Sequence, residues 1–185
     1  MKANKLLIVV LLLGSFFLVS CLPAVINYYR PEAEGGTVTK RMCGGQAGPE
    51  EKIEFSNDGV RVYIWSNRMR DGISFPIFIT IPKGSEVQIR TSSVKFFVPS
   101  TENAFEGFLN PRAWRIGDLL IGELVEENVI RTHDKLFTMT TKVDISKPEK
   151  IKLILPTFYI NNKQWNLPEI SFSKERWWGI LPLNC

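Results

Sequence analysis

Histidine is almost missing from this chain: His133 is the only one in 185 residues. That scarcity argues against histidine-centred catalysis and against a histidine metal site, because stable zinc sites gather three or four ligands. His133 is followed by Asp134, but neighbours in an extended segment point to opposite sides, so adjacency makes no dyad. Thr132-His133-Asp134-Lys135 reads instead as a polar turn. The chain has no Gly-x-Ser-x-Gly, His-Glu-x-x-His or phosphate-loop motif. Ser-x-x-Lys occurs at Ser92–Lys95 and Ser171–Lys174. Both copies fall in segments of period two, where residues three apart face opposite ways, and neither Ser-Asp-Asn nor Lys-Thr-Gly accompanies them. Glu123, Glu126 and Glu127, near Asp118, follow no calcium-loop spacing and read as solvated acids. No catalytic residue, metal site or cofactor is expected.

Concentrated positive charge is also lacking. The formal net charge is +4, and residues 1–20 contribute Lys2 and Lys5 with no acid, so the remainder carries +2. The longest run of basic residues is the pair Lys40-Arg41. Nucleic-acid binding calls for a basic stripe, so no nucleic acid is expected as a partner.

What the chain does have begins at its N-terminus. Lys2 and Lys5 precede an apolar stretch from Leu6 to Val19, broken only by Gly14 and Ser15. This is the layout of a secretory signal peptide, shorter than the roughly 20 apolar residues that cross a bilayer. The stretch ends in Leu18-Val19-Ser20-Cys21, which resembles the lipobox of bacterial lipoproteins. The resemblance implies cleavage after Ser20, lipidation of the Cys21 sulfur and acylation of its amine. Several acyl chains together anchor stably where one is marginal. Leu22 follows, where Asp would favour inner-membrane retention in enteric-type lipoproteins, so the resemblance implies an outer-membrane anchor with a periplasmic domain. Two readings compete: an uncleaved anchor over Leu6–Ile26, and cleavage elsewhere that releases a soluble protein.

With Cys21 assigned to lipid, Cys43 and Cys185 remain. A pair in an exported chain suggests a disulfide, and no Cys-x-x-Cys points to redox work. Closing so long a loop would stabilise by about 4–5 kcal/mol on the chain-entropy view. Gly44-Gly45 reads as a turn after Cys43. The organisation expected is a signal peptide over residues 1–20, a lipidated N-terminus and tether over 21–42, and a β-domain over 43–185. Pro23, Pro31, Gly35 and Gly36 interrupt the tether, and Tyr28 and Tyr29 lie either near the lipid surface or against the domain.

From Ile53 onward the hydrophobic period is two. Val60, Val62 and Ile64 alternate with Arg61, Tyr63 and Trp65; Ile73, Phe75, Ile77, Ile79 and Ile81 form a second set. Val87 and Ile89, then Phe137 to Ile145, Ile151 to Leu155, and Ile170 with Phe172 continue it. Each run can bury one face of a strand. Asn57-Asp58-Gly59, Asp71-Gly72, Lys83-Gly84 and Asn161-Asn162 are turn signals. Pro76 inside a strong run suggests an edge strand or a bulge. Seven to nine strands predict an all-β fold, an immunoglobulin-like two-sheet sandwich, with a jelly roll or small β-barrel as the alternative. The Cys–Trp–Cys core of true immunoglobulin domains is missing.

Residues 99–118 break the pattern and read as a long loop or partly helical insertion, with Phe105, Phe108 and Trp114; residues 119–130 are ambiguous between strand and helix. Trp177-Trp178, after Arg176, can stack on sugar rings or grip a protein, with one Trp in the core and the other partly exposed. Trp114, Arg176, Trp177 and Trp178 are thus the candidate partner contacts. The expected role is a non-enzymatic, lipid-anchored envelope protein that meets the membrane through Cys21 and binds an envelope protein or polymer. The alternative is an envelope enzyme or small-ligand carrier using several of Asp118, Glu123, Glu127, His133 and Arg115.

Overall fold

A computed structural model describes residues 21–42, 45, 47–69, 72–100, 103–112, 122–126, 129–133, 136–143 and 148–182; positions 110–140 are described by backbone pairing alone. Among the described residues there is no α-helix. The strands are β1 (Cys21–Glu32), β2 (Thr37–Thr39), β3 (Lys52–Asn57), β4 (Val60–Trp65), β5 (Asn67–Met69), β6 (Gly72–Thr80), β7 (Glu86–Ile89), β8 (Ser93–Val98) and β9 (Asn103–Phe108). They continue as β10 (Asn110–Arg112), β11 (Gly122–Glu126), β12 (Val129–His133), β13 (Leu136–Val143), β14 (Lys150–Ile154), β15 (Phe158–Ile160), β16 (Lys163–Trp165) and β17 (Ile170–Pro182).

The all-β expectation holds: the described strands form three antiparallel sheets, consistent with a β-sandwich. The first runs β1-β17-β14-β8-β9. The second runs β10-β13-β6-β4-β3-β2, with β5 beside β6, and the third runs β11-β12-β7-β15-β16. Period-two alternation tells which residues share a face and nothing about which strands share a sheet. One core joins all three. Tyr29, Phe96, Leu153 and Phe172 come from the first, Ile53, Ile64, Phe75 and Ile77 from the second, and Val87, Ile89, Phe158 and Ile160 from the third. Phe75 sits at its centre, with ring centroids 5.5 Å from Phe96 and 4.9 Å from Phe172.

Two hairpins follow directly from their turn residues. Asp58 and Gly59 have φ of 48° and 77° between the paired Asn57 and Val60, and Asn161 and Asn162 have 48° and 67° between Ile160 and Lys163. Positive φ at both central residues is the demand of a two-residue I′ turn, met by Asx and Gly at low cost.

Pro76 is neither on an edge nor in a bulge. It pairs in register with Thr140 of β13. On its other flank β6 meets β4 over Ile77–Thr80 and β5 over Gly72–Ser74, so Pro76 stands where the neighbour changes. A missing N–H is tolerated where the ladder is already broken.

Residues 21–42 and the described part of 99–118 hold more strand than their sequence reading expects, and 119–130, ambiguous by sequence between strand and helix, carries strands. Among the described residues of 99–118 lie strands β9 and β10. Their alternation is masked because Gly107 fills an inward position: a Cβ there would lie 2.7 Å from the Phe96 ring. Residues 119–130 carry β11 and the start of β12. The segment 21–42 is not a plain tether, because Cys21–Glu32 pairs along its whole length with β17. Pro23 and Pro31 do not prevent this, since β1 is an edge strand.

Candidate functional site

β17 is long enough to outrun its sheet. β14 pairs only with Ile170–Ser173, whereas β1 follows β17 to Pro182. Past Lys174, β1 and β17 therefore form a two-stranded ribbon with no further strand on the β17 flank among the described residues. The face carrying Ile170 and Phe172 is the core face, and by period two it continues through Lys174, Arg176, Trp178 and Ile180. On β1 the same face carries Pro31 and Tyr29, then Asn27, Val25 and Pro23, directly opposite Arg176, Trp178 and Ile180. Tyr29 and Phe172 are buried, but Trp178 is 66% exposed, Ile180 65% and Val25 42%. Past the polar Lys174, Arg176 and Asn27, the inward face is thus apolar again towards the end of the ribbon, where its side chains are exposed. The Arg176 guanidinium lies 4.6 Å from the Trp178 ring centroid, a cation–π contact.

Trp177 lies on the opposite face and is half-buried, so neither member of the Trp177-Trp178 pair belongs to the core. Its ring lies across Gly179, where a Cβ would come within 2.1 Å of it.

Two tyrosines fasten the root of the ribbon. The Tyr29 hydroxyl donates to the Pro148 carbonyl at 2.7 Å, and the Tyr28 hydroxyl donates to the Glu175 carboxylate at 2.7 Å. Burial pushes the pKa of both phenols up, and the Glu175 charge adds to the rise at Tyr28. Both tyrosines pack on the domain. Exposed Arg30 pairs with Glu50 at 3.1 Å, which raises its pKa.

Beside this root lies a polar crevice of about 130 Å³ lined by Asn27, Tyr28, Arg41, Glu51, Ser66 and Arg68, among others. Arg41 donates to buried Glu51 at 2.8 Å and lies 5.5 Å from the Trp65 ring. Pockets that take whole small molecules run from about 300 Å³ upward, so this one accepts a single small polar group. Its residues come from four separated segments, which is why no local spacing announced it.

The outward face of the second sheet is the other accessible feature. Trp65 stacks on Phe78 at 4.8 Å, and Lys52 and Arg61 lie 5.0 and 5.7 Å from the Tyr63 ring. Burial raises the Tyr63 pKa, as does the nearby Glu54 charge. The sequence signal was present: Tyr63, Trp65 and Phe78 occupy the alternate, wet positions of their runs.

Cys43, Trp114, Arg115, Asp118, Glu127 and Cys185 lie outside the described residues. His133 ends β12 opposite Glu86, and Glu123 is in β11; both are described by backbone alone. Ser171 and Lys174 occupy opposite faces of β17, and Lys174 bonds Glu149. Among the described residues no three His, Cys, Asp or Glu side chains converge as a metal site. No helix among them is long and apolar enough to cross a membrane.

No protein family matches the chain, and neither the curated proteins nor the solved structures compared with it give a match.

Proposed function

We propose that this protein is a lipid-anchored component of the bacterial cell envelope, held at the outer membrane through Cys21, with a non-enzymatic interaction role for its β-domain. The observation that carries the reading is the placement of Leu18-Val19-Ser20-Cys21: an apolar segment of signal-peptide length ends on the residue that starts edge strand β1. Cleavage after Ser20 leaves this strand intact and puts the lipid at its first residue. The outward aromatic and cationic face of the second sheet supports an interaction role, because half-buried rings flanked by Arg and Lys suit sugar rings or anionic groups. Replacing Cys21 with Ala and fractionating cells tests the anchor. Loss of the protein from the membrane fraction is expected, and unchanged retention contradicts it. Crosslinking in intact cells from a photoreactive group at Tyr63 then identifies what the face touches.

A further inference from the structure

We propose that the β1–β17 ribbon is itself a membrane-contacting element, whose Trp178, Ile180, Val25 and Pro23 rest in the lipid interface. This rests on the reading that the chain is held at a membrane at Cys21. The patch is contiguous: Val25 faces Trp178 and Pro23 faces Ile180 across the two strands. It is exposed, and it occupies the core-facing side of a sheet beyond the point where a second sheet covers it. Its occupant follows from chain continuity. The apolar stretch Leu6–Val19 lies immediately before β1, so a lipidated Cys21 and an uncleaved anchor alike put the start of the strand at the bilayer surface.

The distances agree. At about 3.3 Å per residue, Pro23 and Ile180 stand roughly 7 Å along the strand from Cys21, and Val25 and Trp178 roughly 13 Å. Each polar interface of a bilayer is about 5–7 Å deep. An upright ribbon would carry Trp178 clear of it, whereas a ribbon tilted by roughly 60° from the membrane normal keeps both pairs inside. The side chains suit that depth: tryptophan collects at membrane interfaces, its ring among lipids and its N–H hydrated. Polarity rises away from the tip on the same face. Asn27 and Arg176 come next, and Asn27 also lines the crevice that holds Arg68. Guanidinium groups beyond an apolar edge meet the phosphates of anionic headgroups. A domain so seated is oriented on the membrane as well as tethered to it.

The test uses the mature protein, purified from membranes and reconstituted in phosphatidylethanolamine–phosphatidylglycerol vesicles, with and without lipids brominated near the headgroup. Wild type and W178F are compared, and the N-terminal peptide mass of each preparation reports the lipid on Cys21. Trp178 is one of five tryptophans, so wild type should lose up to about one fifth more of its emission to bromine than W178F. Equal quenching in the two proteins, with the lipid mass present and Trp178 open to aqueous acrylamide, overturns the ribbon contact and leaves the anchor standing. A Trp178 shielded from both quenchers, with ribbon-to-ribbon crosslinks, marks a second copy as occupant and also overturns it. Absence of the lipid mass overturns the lipid anchor itself. Exposed Trp178 makes no core contact, so W178F does not threaten folding.

Discussion

Gly107 and Trp178 show how differently single residues weigh in this fold. Gly107 lies under the Phe96 ring with the Thr141 hydroxyl 3.1 Å from where its Cβ would be. Gly107→Ala forces buried neighbours apart, and overpacking of this kind costs about 1–3 kcal/mol. Trp178→Ser removes a larger side chain, yet should change stability by less than about 0.5 kcal/mol, since nothing in the core leans on it. Urea unfolding of both variants checks the contrast. Arg41 is a third case. Its guanidinium is the ion-pair partner of buried Glu51, so Arg41→Ala leaves a carboxylate without compensation, at a cost of about 1–3 kcal/mol. Arg41→Ala/Glu51→Gln should recover part of that loss in the same assay.

At the scale of elements, β1 is an edge strand with one paired neighbour, so it draws on side-chain fastenings as well. Tyr28 and Tyr29 supply two of them. The fold raises their pKa above the ordinary 10.0, so it favours the protonated phenols. The stability they carry is therefore complete below pH 10.0 and declines as pH rises above it. Tyr28→Phe/Tyr29→Phe should lower stability at neutral pH, by leaving the Pro148 carbonyl unpaired, yet fall less steeply between about pH 10 and pH 12. Thermal melts across that range compare the slopes.

β1 also marks where sequence reasoning stopped. Val60–Ile64, Ile73–Ile81 and Ile170–Phe172 were legible because burial on one face writes alternation into the chain. The Asp58-Gly59 and Asn161-Asn162 turns were legible because positive φ restricts residue choice. Cys21–Glu32 was not, because its partner is more than a hundred residues away, its prolines read as interruptions, and its outer half lies beyond the core. β9 was hidden by Gly107, which occupies an inward position without a hydrophobic side chain. Of the candidate contacts, Arg176 and Trp178 proved to share one exposed face. The apolar stripe they join needed the β1–β17 register, which no local pattern contains.

On the scale of the whole molecule, the parts make a sequence of layers: an apolar leader, a cysteine, an amphipathic ribbon and a three-sheet domain whose outward face bears aromatics and cations. The proposed ribbon contact and the proposed envelope location both depend on Cys21. The most direct test is mass spectrometry of the N-terminal peptide from membrane-extracted protein. Expected is a peptide beginning at Cys21 and carrying a thioether-linked diacylglycerol with an acylated amine. A peptide that runs through Ser20 into an unmodified Cys21 would contradict the lipid anchor.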